Sequence, residues 1–517
     1  LKPQTLDARE TYLYLATLII LLGALLVLVD LDAKSLYVDE IHHVEIEAGR
    51  FDQFVRDMVS GPVTHPILAP LLRHLWIRVA GTSDFAVRFI PAALGILCLP
   101  LLCRLVAEVT SHELALLSMY CLAIAPVFVM YSRIDKYYSQ SVFVTLVSLL
   151  AFVKLVNAGE SRRWAMYVGS YVVLIHTHYL AAPFTILGQN LLAAARWRRN
   201  RSLVRRWILA QVLLPLTYVP WIQTGLSHAS EVYGWASADL TQGLKGWIIK
   251  IAYLGYSFTL GETIFPWELA AIVGFPLLIG ITALGLGHFY SQFRAVRDWS
   301  QPLVLVAIFG FLPSIGGIIL SLFVFPSVRF VDLPNHLLFA LPFFRLAIAG
   351  GLLHLTKRWR YIILAVITIT SGLSLYNYYT DRHFHNPIFV TPGREIAEDV
   401  NARAQQGDVI FAAQDSGVAY YYEQMKNSVP VFTSTRKARE YVLRESPGRV
   451  WVITLGRDAT RGATPEEFLR WMEDSYRLAH EQGYVEQDIL YRRLKEALLH
   501  RPAYRYKATV RLYEKAR

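Results

Sequence analysis

A succession of apolar runs, each near the length of a bilayer crossing, decides what this chain can fold into. About eleven such runs lie at 12–29, 86–107, 114–131, 139–156, 164–177, 180–195, 208–224, 267–289, 302–325, 336–355 and 360–379. A helix needs roughly 20 mostly apolar residues to cross the hydrocarbon layer, since each residue advances it by about 1.5 Å. The pattern predicts a polytopic α-helical membrane protein with about eleven transmembrane helices. The runs 164–177 and 180–195 are short, and they read equally as half-helices meeting at HTHYLAAP. With 54% hydrophobic residues, the chain is not of the disordered or collagen-like classes.

Charge is distributed unevenly. Residues 381–517 carry 22 Lys+Arg and 19 Asp+Glu, whereas the far longer 1–380 segment carries only 29 and 21. This divides the chain into a membrane domain, 1–380, whose first outer loop covers 30–85, and a soluble domain, 381–517. The net charge of +11 admits a nucleic-acid or an anionic-membrane partner. Most of the excess sits in short loops between apolar runs, above all RWRRNRSLVRRW (196–207), so membrane lipids are the expected partner and nucleic acid is not. Cys98, Cys103 and Cys121 all lie in apolar runs and read as small buried hydrophobes rather than as a disulfide framework.

The positive-inside rule sets the orientation. With the N-terminus cytoplasmic, inside loops and terminus hold 17 Lys+Arg and the longer outside loops hold 10. An odd number of spans then places the tail outside. The first run is too long for a signal peptide and is followed by no small-residue cleavage pattern, so an uncleaved anchor is expected. The tail alternates in type. GDVIFAAQ (407–414), GRVWVITLG (448–456) and YKATVRLYEK (506–515) predict strands. The segment 464–483 opens with a Thr464/Glu467 capping pattern and predicts a helix. Together they predict a small α/β domain.

Ionisable residues at the membrane boundary are costly, and each is a candidate site. In this topology the mixed acids, bases and histidines gather on the outer side, while the inside loops are nearly all Arg and Lys. In YVDEIHHVEIEAGRF (37–51), a helix would put Asp39, His43 and Glu47 on one face. That face suits a divalent metal, or it is a solvated face with acids at its first turn. A carboxylate there also suits a general base for an acceptor hydroxyl or amine. In VMYSRIDKYYSQS (129–141), Lys136 or Arg133 suits a phosphate, and the Tyr and Lys residues equally suit headgroup anchoring. His176, His178 and Tyr179 form a third cluster, and Arg329, Asp332 and His336 a fourth. Arg345, inside an apolar run, is expected to pair with a carbonyl or an acid of the bundle. WASADLTQGLKGWIIKIAYLGYSFTL (235–260) reads as an interfacial helix with Trp and Lys anchors or as a lid.

In this order and placement the residues resemble the GT-C superfamily of membrane glycosyltransferases that use polyprenyl-phosphate sugars. The likeness is to the branch of protein O-mannosyltransferases and the lipid A aminoarabinose transferase. It rests on the acidic pair Asp39-Glu40 after the first run, HPILAPLLRHLW (65–76), FAVRFIPAALG (85–95), YSRIDKYYS (131–139) and HTHYLAAPF (176–184). Lys136 stands where the family motif has Arg, and Tyr138 where it has Tyr. The family's late Arg-Tyr pair is absent; Asn335-His336 lies in that region and Arg329-Phe330 six residues earlier.

The resemblance implies a GT-C-like fold with an extracytoplasmic α/β domain and inverting sugar transfer on the outer face. It further implies a multi-pass protein of a prokaryotic plasma membrane. The donor would be a polyprenyl-phosphate-linked sugar and the acceptor a lipid, glycan or protein. Asp39 would be the general base beside Glu40. Lys136 and Arg133, with Arg329 or His336, would bind the donor phosphate. His65, Tyr138, His178 and Tyr179 would orient substrates. No cofactor is required, although a divalent metal at Asp39, Asp135 and His43 is conceivable. The alternative is a transporter or lipid flippase, which would place ionisable residues at midplane or in paired broken helices. A membrane scaffold displaying the tail is the remaining possibility and leaves the acidic first loop unexplained.

Overall fold

The computed structural model describes residues 8–60, 66–158, 161–196, 201–219, 221, 243–296, 301–323, 333–412, 417–425, 428–455, 465–486, 490, 493–494, 496–497 and 507–515. The chain divides into two compact units, one of Leu1–Leu31 and Ile46–Arg382, the other of Asp32–Glu45 and His383–Arg517.

In chain order the helices to residue 382 are α1 (Ala8–Leu28), α2 (Val38–Glu47), α3 (Phe51–Ser60), α4 (Leu68–Ala80), α5 (Asp84–Val109), α6 (His112–Ala123), α7 (Pro126–Ser132), α8 (Tyr138–Ala158), α9 (Ser161–Ile175), α10 (Ala181–Arg196), α11 (Arg201–Leu213), α12 (Gly243–Leu260), α13 (Leu269–Val296), α14 (Pro302–Phe323), α15 (Leu333–His336), α16 (Leu341–His354) and α17 (Lys357–Tyr379). Among the described residues six are long and apolar enough to cross a bilayer: α1, α5, α8, α13, α14 and α17. The pair α6–α7 makes up to seven if it counts as one span. The protein is thus a multi-pass helical membrane protein, and among the described residues fewer helices reach full span length than the eleven runs predict. The runs 164–177, 180–195 and 336–355 hold the shorter helices α9, α10 and α16, and 208–224 is described only in part.

The run 114–131 is broken rather than continuous. The helix stops at Ala123 and restarts at Pro126 with a bend of 63°. Proline has no N–H for the ladder and its ring collides with the preceding turn, so Pro126 opens a new helix at its first position. In α14 a π-type stretch, Val306–Phe311, interrupts the α-helical turns. Ser83 and Ser111 cap α5 and α6 by accepting hydrogen bonds from the Ala86 and Leu114 amides, each 3.3 Å. Cys98, Cys103 and Cys121 are buried free thiols.

Helices α13 and α16 pack through glycines. A Cβ on Gly285 would lie 1.9 Å from the Ala347 carbonyl oxygen, and one on Gly351 would lie 2.0 Å from the Ile281 carbonyl oxygen. Small residues are what lets two backbones approach this closely where lipid gives no hydrophobic drive for association.

The second unit continues with α18 (Gly393–Arg403), β1 (Val409–Ala412), α19 (Val418–Gln424), β2 (Val431–Phe432), α20 (Thr435–Glu445), β3 (Arg449–Leu455), α21 (Pro465–Ser475), β4 (Tyr476–Glu486) and β5 (Lys507–Lys515). The sheet order is β2-β1-β3-β5-β4. Strand β1 runs parallel to β2 and β3, while β5 lies antiparallel to β3 and β4. The three predicted strands are present, but the 464–483 helix needs correction. It ends at Ser475, and β4 follows at once. Phe468 and Met472, one turn apart, bury the helical face, and Tyr476 opens the strand. The ladder to β5 then overrides the weak helical pattern of YRLAHEQG, because strand preference is set by cross-strand partners.

Gly351→Val is expected to force α13 and α16 apart. The cost should reach or exceed the upper end of the ~1–3 kcal/mol typical of overpacking, because the obstacle is backbone. Thermal unfolding of the detergent-solubilised protein would show a lowered Tm, and an unchanged Tm would refute the close-packing account.

Candidate active site

The first unit builds its polar cluster where three connections meet helix ends. The turn 133–137 follows α7, the turn 176–180 joins α9 to α10, and α15 carries His336. Tyr137 links them. Its hydroxyl shares a hydrogen bond with His336 Nδ1 at 3.2 Å, and its ring lies 4.7 Å from the His178 ring. The Tyr138 ring meets Tyr137 edge-on at 5.2 Å and Tyr131 at 5.1 Å. The Lys136 ammonium lies 6.0 Å from the Tyr138 ring centroid on a half-buried side chain. Lys136, Tyr138, His178 and His336 are therefore brought together. Tyr179 follows His178 and is largely exposed. His65, Arg329 and Asp332 lie outside the described residues.

His178 is buried and acts as a cap. Its Nδ1 accepts hydrogen bonds from the Leu180 and Ala181 amides at 3.1 and 2.9 Å. Two N–H donors at Nδ1 require a lone pair there, so the proton sits on Nε2 and the ring is neutral. Burial, reinforced by His336, pushes the His178 pKa down to about 3. The site thus contains a neutral imidazole whose Nε2 can only donate.

Arg133 is turned to another task than phosphate binding. It is buried, and its guanidinium donates to the Val27, Val29 and Asp30 carbonyls at 2.8, 2.5 and 2.6 Å and to the Tyr378 hydroxyl at 3.1 Å. It also packs over the Tyr378 and Tyr379 rings. It satisfies the carbonyls left open at the C-terminal end of α1, where a cation is also favoured by the helix dipole.

Asp135 is fully buried and paired with Arg73 at 3.3 Å. Arg73 also forks onto Glu47, with Nη2 2.5 Å from Oε1 and Nε 2.9 Å from Oε2. Burial pushes the Glu47 carboxyl up and the guanidinium opposes it. Glu47 and Asp135 thus form an ionic triad with Arg73. Among the described residues no three His, Cys, Asp or Glu side chains gather as metal ligands. The Asp39, Asp135 and His43 set is not assembled, and Asp135 instead faces a cation.

The acidic pair lies in the second unit, at the first turn of α2. Glu40 is buried, and its Oε2 accepts a hydrogen bond from the Tyr37 amide at 3.1 Å. This is the reach-back of a capping box, a third helical residue closing the amide of the cap. Asp39, one residue earlier on the helix, is exposed. The helix thereby separates two adjacent carboxylates into a structural one and a solvent-facing one. His43 is buried one turn on from Asp39.

Sequence reasoning passed over Glu262. It is buried in the turn between α12 and α13 and accepts hydrogen bonds from the Tyr131 hydroxyl and Ser257, both 2.8 Å. The available signal was a pair of acids, Glu262 and Glu268, between two apolar runs in GETIFPWE (261–268). Lys250, expected as an interfacial anchor, is buried and donates to the Ser321 carbonyl and hydroxyl at 3.1 Å. Arg345 reaches the Thr259 carbonyl at 3.4 Å, the kind of partner expected for it.

Residues 64–223 match the family model described as dolichyl-phosphate-mannose-protein mannosyltransferase. The chain matches no curated protein sequence. Its fold is similar to that of ArnT from Cupriavidus metallidurans in the apo state, with a TM-score of 0.56 at 13% identity over 98% of each chain. The same protein bound to undecaprenyl phosphate gives 0.53 at 13% identity, covering 96% of this chain and 97% of that one. The apo oligosaccharyltransferase of Archaeoglobus fulgidus gives 0.52 at 11% identity, covering 87% of this chain and 70% of that one. The fold is similar to that of these proteins, and residues 64–223 carry the likeness to the mannosyltransferase family model.

The neutrality of His178 has a signed consequence. Below its ordinary pKa of about 6.5 the unfolded chain binds a proton that the folded one refuses, so acid costs stability, by at most ~1.4 kcal/mol per pH unit. The stability advantage of the native protein over His178→Asn should be full near neutral pH and shrink as pH falls toward 4. Paired Tm measurements across that range would show it; a constant difference would contradict the capped, neutral ring.

Proposed function

We propose that the protein moves a sugar from a polyprenyl-phosphate donor to a lipid, glycan or protein acceptor, with inversion, on the outer face of a prokaryotic plasma membrane. The observation that carries this reading is the exposed Asp39 at the first turn of α2, directly after the first span, with Glu40 turned inward as a cap. The undecaprenyl phosphate bound to the similar ArnT supports the donor class.

The chemistry needs few groups. An acceptor O–H or N–H attacks the anomeric carbon from the face opposite the phosphate, and Asp39 takes its proton. The bond from the anomeric carbon to the phosphate oxygen breaks, and its electron pair leaves on the polyprenyl phosphate, which passes from a singly charged diester to a monoester. Lys136, as a point charge, and the Tyr137–His336 pair would serve that growing charge in this reading, and preorganised donors of this kind lower the barrier most where charge develops. His178 would add one neutral N–H donor, and Tyr138 and Tyr179 would border the sugar. Arg133 acts in this reading only by holding the end of α1. Arg329 and His65 keep the roles implied by the family likeness. The reaction in this reading requires no metal. Against the transporter reading stands Lys250, a deep cation that donates to the Ser321 carbonyl and hydroxyl.

With the full chain in lipid nanodiscs, radiolabelled undecaprenyl-phospho-sugars and a native membrane extract as acceptor source, Asp39→Asn is expected to lower turnover by ~10²–10⁴-fold, the usual worth of a general base. The protein should insert and fold normally. Turnover near the native level would remove Asp39 from the base role. Lys136→Ala should weaken undecaprenyl phosphate binding by roughly ten- to a hundredfold, the value of one charge-assisted hydrogen bond. Unchanged affinity would move the phosphate site elsewhere.

A further inference from the structure

The segment that carries Asp39 is grouped with the α/β domain and not with the helices that flank it in sequence, since Asp32–Glu45 and His383–Arg517 form one unit. The contacts that achieve this surround the start of α2. Ser35 donates its hydroxyl to Glu395 Oε2 at 2.9 Å and accepts the Arg394 amide at 3.0 Å. The Arg394 guanidinium donates to the Asp32 and Ala33 carbonyls at 3.0 and 2.9 Å. The Leu36 amide donates to the Tyr421 hydroxyl at 2.6 Å in a buried position. The Tyr37 ring, at the cap of α2, packs edge-on against Phe389 at 5.2 Å. Gly417, at φ +69, comes so near that a Cβ on it would stand 2.8 Å from Ile41 Cδ1.

Asp32, Ala33, Ser35 and Leu36 thus each have a polar partner in the domain, and Tyr37 has an aromatic one. The Leu36 amide and the Asp32 and Ala33 carbonyls are backbone groups of a non-helical segment, which would otherwise have to find water or fray. We infer that the C-terminal α/β domain carries and aims the proposed general base, with Ser35, Glu395 and Tyr421 as positioning residues. This rests on the assignment of Asp39 above. The domain then does more than sit beside the chemistry: it fixes where α2 begins, and so fixes the direction of the Asp39 carboxylate. A base that must reach one acceptor proton loses rate steeply when its placement loosens, because the bound geometry supplies much of the rate.

The test uses the full chain in nanodiscs with Ser35→Ala, Tyr421→Phe, Glu395→Ala and the conservative Glu395→Gln, which still accepts from Ser35. Hydrogen exchange across 33–45 should rise about tenfold in the first three, the worth of roughly one buried hydrogen bond. Exchange in β1 and β3 should not change. Turnover should fall about tenfold while undecaprenyl phosphate affinity stays within about twofold, and Glu395→Gln should behave as native. Unaltered exchange at 33–45, or full turnover despite raised exchange, overturns the inference. So does a parallel loss of exchange protection throughout the domain, which marks a merely structural role. Asp39→Asn separates the two levels: if it retains turnover, the base assignment falls, whatever exchange shows. If it abolishes turnover while the loosened variants keep theirs, only the positioning role falls.

Discussion

Arg133 is the contact on which the membrane unit turns. It sits directly after the broken helix pair α6–α7 and donates to three carbonyls at the end of α1 while lying over two tyrosines of α17. The free carbonyls of a helix end are tolerable in water and expensive in lipid. A guanidinium, with five donors in a fixed fork, can satisfy several at once. The same side chain ties the first helix, the last one and the Pro126 break to one point. The neighbouring residues Asp135, Lys136 and Tyr137 project from that anchored turn, so their placement follows from a helix cap.

The polar groups of this unit fall into two kinds. Arg73, Glu47 and Asp135 form an ionic triad, Lys250 is spent on the Ser321 carbonyl and hydroxyl, and Arg345 reaches the Thr259 carbonyl. Such groups are strong determinants of a unique arrangement only when paired, since an uncompensated buried charge costs several kcal/mol. The turn 136–138, His178 and His336 instead make a cluster of rings and donors at helix ends. The difference is one of partners rather than of residue type, and residue type is all that a sequence offers.

Much of the fold was legible. Long apolar runs have one stable outcome in hydrocarbon, so the helical membrane class was readable, as were three strands of the tail. The number of full spans was not. Composition does not reveal that Pro126 splits one run or that other runs fold as shorter helices. Nor did the pattern of 464–483 reveal β4, because a strand is defined by the partner that pairs with it, and β5 lies well downstream. Within the candidate site, motif order put Lys136, Tyr138, His178 and His336 on one list, and they do meet. Arg133 and Asp135 shared a motif with Lys136 yet point to other partners. Glu262 carried almost no local signal.

The sequence by itself determined the membrane class, the boundary in charge near residue 380 and the acidic pair after the first span. These are properties of composition and order, and solvent and bilayer act on them directly. The tertiary structure alone decided which of two adjacent carboxylates faces outward. Glu40 accepts from the Tyr37 amide, because a helix start has a fixed geometry that a third residue can close and a second cannot. It also decided to which unit Asp39 belongs. Residues 32–45 lie between α1 and the other helices of the membrane unit in the chain, yet Ser35 and Leu36 are hydrogen-bonded to partners 360 and 385 positions later. No local pattern encodes a contact at that separation, since it exists only once both segments have folded.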